Sequence, residues 1–154
     1  MNLQETNSVL EDRMHPGRMS MKGFLGKDES LSEVLRSDDE TVARLGLTHE
    51  AIADRIEYFI KAVNFPSREG EIIESKFLVG GLVYRGCQDC PWRDIWLMEY
   101  SNVDLFIKNL ETGEQINFPG AIVHLIRVHH FYEGKQSPYR VNPEIVARVL
   151  GLLR

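Results

Sequence analysis

No stretch of about 18 apolar residues occurs anywhere in the chain, so no membrane-spanning helix of ordinary length is expected. The segment Met1 to Arg13 is polar and acidic and lacks an apolar core, so no secretory signal is expected either. Cysteine is scarce. The two present, Cys87 and Cys90, are spaced C-x-x-C, too few and too close for a disulfide scaffold. In a chain without an export signal such a pair fits a reducing compartment, and the cytoplasm is the expected location. Positive charge is also in short supply. The formal net charge is −5, which argues against binding nucleic acid through a broad basic face, since that affinity comes mostly from neutralised phosphates. No P-loop, Gly-rich dinucleotide turn, H-E-x-x-H helix or serine nucleophile elbow is found, and there is no internal repeat.

What is present is an ordinary globular composition, 43% hydrophobic and 27% charged over 154 residues. A chain of this length buries roughly two-thirds of its unfolded surface, so a metal would brace one region rather than hold the whole fold together. The pattern divides into three stretches. Residues 1–27 contain Pro16, Gly17 and four methionines without sustained periodicity and read as a loop-rich segment, in which Phe24 and Leu25 supply an apolar contact. Residues 28–65 read as helical. Ser30-Leu31-Ser32-Glu33 fits a capping box, Asp38 or Asp39 suits the cap of a second short helix ending at Gly46, and Thr48 opens a third. In that third helix Ile52, Ile56, Phe59 and Ile60 recur at helical spacing, and Pro66 sets its end near Asn64.

Residues 66–154 read as an α+β domain. Lys76 to Arg85 predicts one or two strands with a bulge or turn at Gly80-Gly81. Val103 to Leu110 and Glu114 to Phe118 predict a hairpin about Glu111-Thr112-Gly113. A helix follows from Ala121 to about Phe131, closed by Gly134, and Asn142-Pro143 opens the last one. The expected fold class is α+β: an N-terminal helical segment, a small antiparallel sheet bearing a zinc knuckle and a hairpin, and C-terminal helices.

The residues with the clearest chemistry are Cys87, Cys90, His124 and either His129 or His130. Structural zinc takes four N or S donors at tetrahedral corners, and a C-x-x-C turn supplies two sulfurs to one ion. His124 to His129 is H-x4-H and His124 to His130 is H-x5-H, both within zinc-finger spacing. On an ideal helix the first pair stands about 140° apart and the second about 120° on the other side, so spacing hardly separates them. His129 is preferred because it lies beside Leu125 and Ile122 on the expected inner face. The order of knuckle, hairpin and histidine-bearing helix, from about Gly86 to His130, resembles the CCHH zinc finger and its treble-clef relatives. The resemblance implies a Zn2+ site and does not carry over base reading. The gap from Cys90 to His124 is 33 residues, where the DNA-reading finger has about a dozen.

Other features have plainer readings. Helix-turn-helix character runs through residues 38–57, with Leu45-Gly46-Leu47 as the turn, but Glu50, Asp54 and Glu57 would face phosphates, so a helical hairpin is the simpler account. His15 and His49 stand alone. Trp92 and Trp96 lie beside the knuckle, just after it, and suit shielding or packing. Arg85, Arg127 and Arg140 are read as partners of local carboxylates rather than an anion site. A redox C-x-x-C needs a helix N-terminus after the first thiol, and Pro91-Trp92-Arg93 offers none. The sequence therefore points to a structural zinc module that binds a protein partner. A DNA-binding regulator using residues 38–57 is the second reading. A small zinc hydrolase is the third, with His129, His130, Glu133 and Asp89 near enough in sequence to supply an acid or base.

Overall fold

The computed structural model describes residues 7–19, 23–63, 66–86 and 88–153. Among these, nine elements follow in chain order: α1 (Asn7–Met14), α2 (Leu31–Arg44), α3 (His49–Ala62), β1 (Glu71–Ile73), β2 (Phe77–Val83), β3 (Val103–Asn109), β4 (Gln115–Pro119), α4 (Ile122–His129) and α5 (Pro143–Val149). The four strands form one antiparallel meander in the order β1-β2-β3-β4, with helices before and after it. This is an α+β fold.

The caps read from sequence are in place. The Ser30 hydroxyl accepts from the Glu33 amide, Thr48 from Ala51, and Asn142 from both Glu144 and Ile145, with Pro143 as the first residue of α5. The two short helices expected over 30–45 are one helix, α2. Asp38 does not cap a break, because its carboxylate is buried and receives two guanidinium bonds from Arg140, at 2.8 and 2.9 Å. Residues 1–27, expected to be loop-rich, carry α1. Its Leu10 and Met14 enter the core, a two-residue contact too sparse to register as periodicity.

Strand β2 runs straight through Gly80 and Gly81 without the expected turn or bulge. A Cβ at Gly81 would collide with the Asp104 carbonyl, and one at Gly80 with the Phe106 ring and the Ser67 carbonyl. The glycines serve close approach, not a bend. Strand β1 was not foreseen. It is three residues long and joins β2 through Glu74 and Ser75, both at positive φ, with no Asn-Gly signal to mark the turn. The expected hairpin of β3 and β4 is present, turns about Glu111-Thr112-Gly113 and is pinned by Asn109. That side chain accepts from the amides of Glu111 and Thr112 and donates to the Val149 carbonyl.

Two features position the candidate site. Helix α4 lies against α3 and is ended by His130 in the left-handed conformation (φ 57°), short of the expected closure at Gly134. The Phe131 amide reaches back to Leu125 and closes the last turn. Between β2 and β3, residues 84–102 run without helix or strand among those described. A connection this long with no regular structure is uncommon inside a compact chain and is usually functional. It is held by bonds from Tyr84 to Asn102, from Met98 to Gln88 and from the Gln88 amide to Ser101, and by the Arg13 guanidinium on the Pro91 carbonyl.

Candidate metal centre

The irregular segment brings Cys90 and Asp94 to α4, where His124 and His129 meet them. One donor atom from each of these four residues lies within 4.8 Å of the other three. Asp94 Oδ2 lies 2.8 Å from His129 Nε2, Asp94 Oδ1 3.2 Å from His124 Nε2, and Cys90 Sγ 3.4 Å from His129 Nε2. Zinc bound to nitrogen or oxygen at about 2.0–2.1 Å and to sulfur at about 2.3 Å sets tetrahedral donors roughly 3.3–3.7 Å apart. These three separations lie within about half an ångström of that spacing, and all the donors are within 4.8 Å of one another. The two imidazoles, well separated around an ideal helix, converge because His124 reaches from the body of α4 and His129 from its final residue. Their rings stand edge to face with centroids 5.4 Å apart.

The site is half-enclosed. Cys90 is fully buried, the two histidine side chains are nearly so, and Asp94 keeps a third of its side-chain surface in solvent. Trp92 lies flat on the His129 ring and meets Phe131 edge-on, forming an apolar wall. Burial, and then the carboxylate of Asp94, push the Cys90 thiol up to about 12. Burial would also raise Asp94, but the Cys90 hydrogen bond and the neighbouring His129 and His124 outweigh it and hold this carboxyl below its usual range. Burial lowers His129 from the ordinary imidazole value, which favours the neutral ring that metal binding requires. Burial disfavours the thiolate that a redox nucleophile needs, whereas a coordinating metal would take the sulfur as thiolate.

Of the residues singled out in the sequence, Cys90, His124 and His129 come together. Cys87 lies outside the described residues. His130 is turned away from this group by its left-handed backbone and stacks instead on His49, with centroids 4.2 Å apart and planes within 8°. Asp94 was not foreseen. Its only signal was an acidic side chain four residues after Cys90, and acids are common in loops. Nor does His49 stand alone, since it bonds Tyr132 and Asp39. Glu133, considered as an acid or base beside the histidines, is buried and bonded to Ser137.

Of the three arginines expected to pair with local carboxylates, Arg127 bonds Asp54 and Glu57 and Arg140 bonds Asp38, partners distant in the chain, whereas Arg85 is exposed and makes no ion pair among the described residues. These bonds also bear on the helix-turn-helix reading. Gly46 is left-handed as that motif needs, but α3 packs on α4, and its Asp54, Arg55 and Glu57 are engaged with Arg127 and Glu74. Comparison with family models, with curated proteins and with solved structures finds no match to this chain.

Proposed function

We propose that this protein is a zinc-braced interaction module, in which one Zn2+ staples residues 84–102 to α4 and the stapled segment presents a hydrophobic tip to a protein partner. The observation that carries the reading is the convergence of Cys90, Asp94, His124 and His129 from two distant parts of the chain. Cys90, His124 and His129 supply three corners. The fourth belongs to the irregular segment: Asp94 is the donor that the described geometry brings there, and Cys87, by the C-x-x-C spacing, is its competitor. When bound, the ion would supply cross-linking rather than chemistry, replacing the thiol proton and fixing a segment that has few backbone hydrogen bonds of its own.

The tip is Ile95-Trp96-Leu97. Trp96 is 82% exposed and Leu97 49% exposed, two and three residues after Asp94, while Ile95 packs against the core and anchors them. An exposed tryptophan on a rigidly held loop is the residue type that dominates protein interfaces. A protein partner accounts for this display. Nothing in the arrangement of α3 favours duplex DNA.

The test is the metal content of the purified, untagged protein, measured by plasma mass spectrometry beside Cys90→Ser and His124→Ala. One zinc per chain, lost in both variants, is the expected result. Reduced protein that carries no zinc and refuses added zinc would remove the proposal. For the tip, Trp96→Ala should leave zinc content and thermal stability unchanged while weakening capture of the partner at least 30-fold, equivalent to about 2 kcal/mol.

A further inference from the structure

Helix α4 ends in two consecutive histidines that face different groups of residues. His129 joins Cys90, Asp94 and His124, while His130 meets Asp39 of α2 and His49 at the start of α3. In this second group the Asp39 carboxylate lies 2.7 Å from His49 Nε2 and 4.0 Å from His130 Nδ1, and the three donor atoms all fall within 4.8 Å. We infer that Asp39, His49 and His130 form a second site for a divalent transition-metal ion of the zinc type, separate from the first and open to solvent.

Three observations support the assignment. The donors are two imidazoles and a carboxylate, the set that suits zinc, nickel and cobalt rather than calcium or magnesium. His49 is oriented from behind: its Nδ1 lies 2.9 Å from the hydroxyl of Tyr132, which is fully buried. The Asp39 contact takes a proton on Nε2; an ion replacing that proton would leave the Nε2 lone pair for the metal while Nδ1–H donates to the Tyr132 oxygen. This is the arrangement in which metal-binding histidines are normally held. Finally, the three residues line a surface depression with Val42, Leu47 and Glu50, so a bound ion would keep coordination positions for water or an incoming ligand.

The two sites differ in kind. The first has a buried thiol and a tryptophan wall, whereas Asp39 and His130 each leave about half of the side chain in solvent. The stacked His49 and His130 rings cannot both point in-plane at one ion, so binding tilts the exposed His130 ring out of the stack. The second site is therefore the weaker and more exchangeable one. Its left-handed His130 decides which way the ring faces, because a right-handed residue there would prolong α4.

Equilibrium dialysis of the full chain against buffered free Zn2+ in the micromolar range tests this. Zinc is counted by plasma mass spectrometry in the wild type, His130→Asn, Asp39→Asn and His124→Ala. Asparagine accepts the left-handed backbone, and both Asn variants replace half-exposed side chains, so the fold is retained. The wild type should bind one equivalent more than either Asn variant, and His124→Ala should keep that weaker equivalent. Because the readout is a difference between proteins, it does not depend on occupancy of the first site. Superimposable isotherms for wild type, His130→Asn and Asp39→Asn would overturn the inference, as would loss of the weaker equivalent in His124→Ala.

Discussion

Trp92 covers His129: the indole and imidazole centroids are 4.0 Å apart and the planes lie within 7° of parallel. An imidazole clamped in this way would lose little freedom on binding an ion, and the indole keeps water from that side. The proximity also makes Trp92 a reporter. Co2+ added to the metal-free protein should quench a substantial part of the tryptophan emission, and Trp92→Phe should remove most of that quenching. Trp96→Phe, which replaces the exposed indole, should leave it in place. Equal quenching in all three proteins would place the metal elsewhere.

The identity of the fourth ligand can be read from the same cobalt protein. Thiolate-to-cobalt charge-transfer absorption scales with the number of coordinated sulfurs. One thiolate, with the band unchanged in Cys87→Ser and the visible spectrum altered in Asp94→Asn, is expected for the Cys90-Asp94-His124-His129 set. Two thiolates would assign the corner to Cys87. An exchangeable water in the coordination sphere would instead favour the hydrolase reading. Chelating the zinc should lower the melting temperature by roughly 5–10 °C, the effect of losing an ion present at about 100 times its Kd.

Asp38 and Arg140 make a buried pair that ties α2 to the segment before α5, with two bonds and only 3% and 12% of their side chains exposed. Replacing Arg140 with Ala leaves a carboxylate buried without its cation and should cost about 3–5 kcal/mol. Asp38→Ala in the same background should recover part of that loss, as measured by urea unfolding, because the stranded charge is gone. If the double variant is no more stable than Arg140→Ala, the pair is not the source of the loss.

Glu133 gives the protein an unusual pH response. Burial lifts its carboxyl from 4.5 to about 8, against a smaller opposing effect of the Ser137 bond. The Ser137 hydroxyl lies 3.2 Å from both the Glu133 carboxyl and the Gly23 carbonyl, so one hydroxyl serves two acceptors when Glu133 is ionised and is relieved when Glu133 is neutral. Between the two pKa values the folded protein keeps a proton that the unfolded chain has released. Glu133 is therefore most favourable below about pH 4.5, and its contribution is lost as pH rises toward about 8, by at most about 1.4 kcal/mol per pH unit. Glu133→Gln keeps the neutral hydrogen bonding and should flatten this slope, making the variant more stable than wild type near pH 8. Parallel stability curves for the two proteins from about pH 5 to about pH 8 would contradict it.

The sequence was most legible where a local rule decided the outcome. Ser30, Thr48 and Asn142-Pro143 are helix caps because a side-chain oxygen next to free amides needs no distant partner. The β3–β4 hairpin follows from alternation around Glu111-Thr112-Gly113. For the candidate site, residue type and spacing were enough to nominate Cys90, His124 and His129.

What spacing could not do was choose between His129 and His130, since both lie well off the His124 face of an ideal helix. The helix end decided it: α4 stops at His129, and a left-handed His130 sends the next ring to Asp39 and His49. Asp94, Tyr132 and the Asp38–Arg140 pair were likewise invisible, because each acts through a partner 30 or more residues away in the chain. Local chemistry is written in neighbouring residues, and the sequence alone determined it here: the caps, the hairpin and the donor types. Which donors face one another depends on where helices end and how an irregular segment is folded back, and only the tertiary structure decided that.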